Sequence, residues 1–169
     1  MGSVTQDVNV DIMVSLSRLD KRILLQLLED CTQTTSVMAS KVGTTRQTVS
    51  NKMRHFLDSG IVRNFSARIN PETLSLGLRA FILLREEPKS ESRSRNEELL
   101  RRIPQISGIY YVFGGHDVVL EVFVESNEEL KGLVKEIHAL DGIRETQTMI
   151  VHGIVKDERE DPLIHVLKK

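Results

Sequence analysis

The sequence predicts an α+β chain in two parts, and three observations carry that expectation. Residues 18–60 hold three helix-periodic segments with a glycine at the last turn, and residues 78–156 alternate in the order βαββαβ between glycine and proline breaks. Basic residues gather in the first part and acids in the second. The first part therefore reads as a helix-turn-helix unit of winged-helix-like type, and the second as the split βαβ of ferredoxin-like folds. Residues 1–17 read as an N-terminal arm, 61–77 as a hinge strand and linker, and 157–169 as a tail open to forming an added strand.

At 169 residues and 40% hydrophobic content, the chain is large enough to bury a real core in one domain or two small ones. No apolar run approaches the roughly 20 residues that span a bilayer, and the N-terminus lacks a basic start followed by an apolar core, so a cytoplasmic protein is expected. Cys31 is the single cysteine, which excludes an intrachain disulfide framework and a multi-cysteine zinc site; it reads as a small buried residue at a helix end. His55, His116, His138, His152 and His165 are scattered without metal-ligand spacing or a nucleophile partner, which argues against a hydrolase or metalloenzyme. No cofactor is expected.

Ser17 and Asp20 resemble a capping box, and Leu19, Ile23, Leu24, Leu27 and Leu28 then give a helix with a wide apolar stripe ending near Asp30. Thr34 or Thr35 can cap a short second helix through Val42, with Met38, Ala39 and Val42 inward. Gly43 makes the turn into a third helix capped by Thr45 and stopped at Gly60, whose buried stripe is Val49, Met53, Phe56 and Leu57.

The solvent side of this third helix is chemically unusual. Arg46, Gln47, Thr48, Ser50, Asn51, Lys52 and Arg54 face water with no acid before Asp58, whereas an ordinary surface helix mixes Glu with Lys. Arginine pairs bidentately with guanine edges and Asn or Gln with adenine, so this composition suits a duplex major groove. From Ser36 to Ile69 the bases are Lys41, Arg46, Lys52, Arg54, Arg63 and Arg68 against the lone acid Asp58, a positive flank for phosphates. Lys41, Lys52 and Arg63 are the expected phosphate contacts, and Arg46, Gln47, Ser50 and Asn51 the expected base contacts, with Thr45, Thr48 and Arg54 completing the DNA-binding set. The other reading of this polar face is mere solvation.

Ile61–Ile69 alternates enough to be a strand, closed by Asn70-Pro71. In the second part Leu78–Arg85, Gly108–Phe113, Val118–Val124 and Ile143–Val155 read as strands, Asn96–Ile103 and a segment capped by Ser126 as helices, and Lys89–Arg95 (KSESRSR) as a solvated loop. Several strands are apolar on both faces: Val118, Leu120, Val122 and Val124 alternate with Val119 and Phe123, interrupted only by Glu121. A strand apolar on both sides is buried on both sides, so the face without helices is expected to pack on another subunit; folding-back of the three-helix unit onto it is the other reading.

Taken together, LDKRILLQLLED, MASKVGTTRQTVSNKMRHFLDSGIV, INPETLSLG, FGGHDVVLEVFV and DGIRETQTMIV resemble the Lrp/AsnC (leucine-responsive regulatory protein, feast/famine) family from Leu19 to about Val155. The resemblance implies a DNA-binding transcriptional regulator, a hinge strand, dimers formed through the ferredoxin-like sheets, commonly assembled into octamers, and a small-molecule effector, usually an amino acid, bound at contacts between dimers. It assigns Gly114, Gly115, His116 and Asp117, with Thr146 and Thr148 of the last strand, to the effector site. Glycine amides and a carboxylate complement the two charged groups of an amino acid. The family generally has Tyr or Phe where this chain has His116, so an aromatic wall is replaced by a titratable ring. A plain hairpin turn needing positive φ would also account for Gly114–Asp117, and ordinary strand propensity for the two threonines.

The resulting expectation is a dimer whose two heads enter successive major grooves, with half-sites roughly 10 bp apart. Double-stranded DNA, a second copy of the chain and a small-molecule effector are the expected partners. An architectural DNA-compacting protein without effector, and an enzyme similar to the sirohaem decarboxylases, are the rival readings.

Overall fold

A computed structural model describes residues 15–87 and 90–169, so nearly all of the expected arm lies outside the described residues. In chain order the elements are α1 (Arg18–Glu29), α2 (Thr35–Val42), α3 (Arg46–Asp58), β1 (Leu78–Glu86), α4 (Ser90–Leu100), β2 (Ile106–Tyr111), β3 (Val118–Val124), α5 (Asn127–His138), β4 (Ile143–Ile150) and α6 (Asp161–Leu167), with a 3-10 turn at Pro71–Leu74. The described residues form two compact units: those up to Ala67 together with Asp157–Lys169, and those from Arg68 to Lys156.

In the first unit, local chemistry at each helix start sets the boundaries. The Ser17 hydroxyl accepts the Asp20 N–H at 3.1 Å while the Asp20 carboxylate accepts the Ser17 N–H at 3.0 Å, a reciprocal capping box that starts α1. Thr34 caps α2 and Thr45 caps α3, each accepting the N–H three residues on. Gly43 ends α2 with φ of 66°, a backbone that side-chain-bearing residues adopt only with strain. Between the caps, Ile23, Leu24, Leu27, Met38, Ala39, Val42, Val49 and Phe56 form the core. Phe56 is fully buried, and its truncation to Ala would cost about 3–5 kcal/mol. Met53 packs at the margin, but Leu57, expected inside, is 41% exposed, because it sits one position round the helix from Phe56. Cys31 is exposed rather than buried, since α1 has ended and the chain is turning towards α2.

Two further expectations in this unit are corrected. Ile61–Ile69 forms no strand among the described residues, because it enters no ladder; Ile61 and Val62 instead pack against the three-helix core. The tail forms α6 rather than an added strand, begins with Pro162 in its first turn, and lays Leu167 against the core, packing on α1.

The second unit is a four-stranded antiparallel sheet in the order β2-β3-β1-β4, the arrangement of the ferredoxin-like βαββαβ fold. Ala80, Ile82, Leu84, Leu120, Val122 and Val124 line one face and meet Leu100 of α4 and Leu130, Leu133 and Ile137 of α5. The bounds of several elements differ from expectation. Helix α4 starts at Ser90, so most of the run read as a solvated loop is helical: Ser92 donates to Asp141 at 3.1 Å, Asn96 to the Asp141 carbonyl at 2.8 Å and Arg93 to Glu86 at 3.0 Å. Strand β2 spans Ile106–Tyr111 rather than Gly108–Phe113, since its ladder with β3 runs from Ile106 to Tyr111. Strand β4 stops at Ile150 rather than Val155, where its ladder with β1 ends at Ala80.

Candidate nucleic-acid interface and effector site

Helix α3 is held to α1 by charge as well as by packing. Lys52 Nζ lies 2.8 Å from Asp20 Oδ1, and the Asp20 side chain is 10% exposed. Burial acts to raise the Asp20 pKa, but the Lys52 ammonium and the Ser17 hydroxyl and amide outweigh it and hold the carboxyl below its ordinary value. Arg22 of α1 donates to the Lys41 carbonyl at 3.2 Å, fixing the end of α2 in the same way. These contacts set the angle at which α3 is presented.

On the outer side of α3, Thr45, Arg46, Gln47, Asn51 and Arg54 are exposed, and Thr48, Ser50 and Lys52 are half-buried. Gln47 Nε2 donates to Asn51 Oδ1 at 2.9 Å, so the two amides one turn apart are aligned before any ligand arrives. The Thr45 and Thr48 hydroxyls pair at 2.9 Å beside the cap. Lys41 and Arg63 are exposed at the borders of this surface. Of the expected phosphate contacts, Lys52 is committed to Asp20, a carboxylate that the sequence showed only as part of a cap.

The candidate effector turn lies where β3 begins. Gly114 and Gly115 are exposed, with Gly114 at φ 143°, and His116 and Asp117 are half-buried. Asp117 accepts the Glu86 N–H at 2.9 Å on Oδ2 and stands 3.9 Å from Arg93 on Oδ1, while the Gly115 carbonyl accepts Arg85 Nε at 2.6 Å. Arg93 also stacks 5.7 Å from the Tyr111 ring centre, and the Tyr111 hydroxyl donates to Glu97 at 3.2 Å. Burial, with the Glu97 charge and hydrogen bond adding to it, pushes the Tyr111 pKa up to about 12. Arg85, Glu86 and Arg93 thus belong to the turn's surroundings, and sequence reasoning missed them because their partners are distant in the chain.

The threonines stand apart from this turn. Thr146 pairs with Leu84 and Thr148 with Ile82, which places both on the helix-covered side of β4, with β1 between them and β3. Thr146 Oγ1 lies 3.4 Å from His138 Nδ1. Within one chain the six candidate residues therefore form two groups rather than one pocket. No helix among the described residues is long and apolar enough to cross a membrane.

A capped, acid-poor third helix in a helix-turn-helix unit, followed by a ferredoxin-like domain, defines a two-domain DNA-binding regulator. Comparison with known proteins bears this out: the winged helix-turn-helix DNA-binding model matches residues 16–63 and the Lrp/AsnC ligand binding domain model matches residues 79–161. The chain belongs to the Lrp/AsnC family of transcriptional regulators. It is 30% identical over 145 residues to an HTH-type transcriptional regulator of Pyrococcus horikoshii, covering 85% of this chain and 97% of that protein. Among solved structures it is similar to an AsnC family transcriptional regulator from Agrobacterium tumefaciens, with a TM-score of 0.82, 25% identity and coverage of 89% of this chain and 99% of that one. The fold is shared with a Neisseria meningitidis transcriptional regulator solved as its L-Met complex, with a TM-score of 0.84, 24% identity and coverage of 90% and 99%. The matched family and relatives are regulators, so the enzyme reading finds no support.

Proposed function

We propose that the chain regulates transcription as a dimer or larger assembly that reads specific DNA through α3 and responds to an amino acid. The observation that carries the DNA reading is the exposed face of α3, where Arg46 and the pre-aligned Gln47–Asn51 pair stand beside the helix N-terminus with no acid before Asp58. Arg46, Gln47, Ser50 and Asn51 contact base edges, with Thr45 and Thr48 beside them, and Lys41, Arg54 and Arg63 hold phosphates. Lys52 contributes by fixing α3 against Asp20 rather than by reaching the backbone.

The effector is an amino acid bound around Gly114, Gly115, His116 and Asp117, with Thr146 and Thr148 supplied across contacts between dimers, as in an octamer. Exposed glycine amides and the Asp117 carboxylate support this placement, and the L-Met complex of the Neisseria meningitidis regulator supports an amino acid as the class of effector. An amino acid would act by binding one assembly more tightly than another, since equal affinity shifts nothing.

Sequencing the genomic DNA retained by purified protein, with and without a pool of amino acids, tests both halves. Enrichment of imperfect palindromes that changes with the pool is expected. Random recovery in both arms would overturn specific regulation in favour of DNA compaction.

A further inference from the structure

Gln47 and Asn51 stand one turn apart on α3, and both are exposed. Gln47 Nε2 donates to Asn51 Oδ1 at 2.9 Å. That bond uses one of the two Nε2 hydrogens and one of the two Oδ1 lone pairs, and it holds the Asn51 amide one way round. Neither side-chain amide has another protein partner among the described residues. What is left for a ligand is an ordered row: the Asn51 Nδ2 hydrogens, the second lone pair of Asn51 Oδ1, then the second hydrogen of Gln47 Nε2. Along the pair the row reads donor, acceptor, donor.

In the major groove an A·T pair presents adenine N7, adenine N6–H and thymine O4, which are acceptor, donor and acceptor. Group by group this is the complement of the row, and reversing the pair to T·A keeps the order while moving the thymine methyl to the other end. In either orientation of a G·C pair the central group is guanine O6, an acceptor that would face the acceptor Oδ1. With both amides turned over, the row would read acceptor, donor, acceptor, which no base pair complements. We propose that Gln47 and Asn51 act as one unit that specifies a single A·T base pair against G·C, with Asn51 spanning one outer acceptor and N6–H and Gln47 reaching the other outer acceptor. The inference rests on the reading above that α3 enters the groove. Gln47 is needed at this position even where Asn51 could pair alone: without it the Asn51 amide is free to turn over and set Nδ2 against guanine O6.

Site selection from random duplexes with the full chain, followed by titration of the selected site and its single base-pair substitutions, tests this. One position in each half-site should accept A·T or T·A and lose at least about tenfold in affinity as G·C or C·G. Gln47→Ala and Asn51→Ala should each bring the discrimination at that position within about threefold and leave the other positions as in the wild type, and the double variant should lose no more of it than Asn51→Ala alone. Both side chains are exposed and alanine favours a helix, so the variants retain α3. Relaxation at two different positions by the two single variants would overturn the proposal, each amide then reading a base of its own. An equal loss on every sequence would overturn it as well, since that is the behaviour of a phosphate contact. A wild type that selects no motif would instead remove the reading of specific DNA on which the proposal rests.

Discussion

Lys52 Nζ of α3 sits 2.8 Å from Asp20 Oδ1 of α1, so one carboxylate both starts the first helix and anchors the third. Replacing Asp20 by Asn should destabilise the helical unit by about 1–3 kcal/mol, less than for a fully buried pair because Lys52 remains partly in water. The pH dependence has a definite sign. The folded pKa of Asp20 lies below its ordinary value of 3.8, so its contribution is fully present above that value and is lost as pH falls through the lower folded value. Thermal unfolding of wild type and Asp20→Asn from neutral pH into acid should show the gap between them closing below about pH 4.

Thr45 separates helix stability from groove chemistry. Its hydroxyl accepts the Thr48 N–H at 3.1 Å, and Thr45→Ala should cost about 1 kcal/mol with a matching loss of DNA affinity. Thr45→Asp keeps a strong cap, so stability should hold, yet it places a negative charge beside phosphates. Unfolding curves and DNA titrations on the two variants should therefore disagree: both lose affinity, and only Ala loses stability.

What was legible in the sequence was local. Ser17, Thr34, Thr45 and Ser126 announce their helices because a cap satisfies an N–H two or three residues away, and the strands announce themselves through alternation. Helix α4 began earlier than expected because its first turns are ordered by Asp141 and Glu86, outside any local window. Helix α6 is only seven residues long, and its packing on α1 joins opposite ends of the chain. The same limit applies to the site. Lys52 has the composition of a phosphate contact, and only the fold reveals Asp20 as its partner.

Tyr111 should ionise well above an ordinary tyrosine. Burial comes first, then the Glu97 carboxylate and its hydrogen bond, with Arg93 opposing them, and together they push its pKa up to about 12. Because the folded value is raised, the neutral ring's contribution to stability is complete below the ordinary value of 10.0 and disappears as pH rises through the folded value. A phenolate absorbance titration should show Tyr111 ionising late in the wild type, and Glu97→Gln should move it back towards 10.0. Unchanged titration in Glu97→Gln would mean that burial, with the Glu86 charge, sets the shift.

Asp117 is asked to serve both the fold and the effector, and two substitutions separate those duties. Its Oδ2 accepts the Glu86 N–H at 2.9 Å, at a position where Glu86 is 9% exposed. Asp117→Ala strands that donor and should cost about 1–3 kcal/mol, visible in thermal unfolding. Asp117→Asn retains an acceptor oxygen, so the turn and the β1 end should hold, but the negative charge that would meet an amino-acid ammonium is gone. Calorimetric titration with amino acids should then find binding lost in both variants and stability lost only in Ala. If Asp117→Asn binds amino acids like the wild type, the carboxylate serves the turn alone, and recognition of the ammonium lies with other residues.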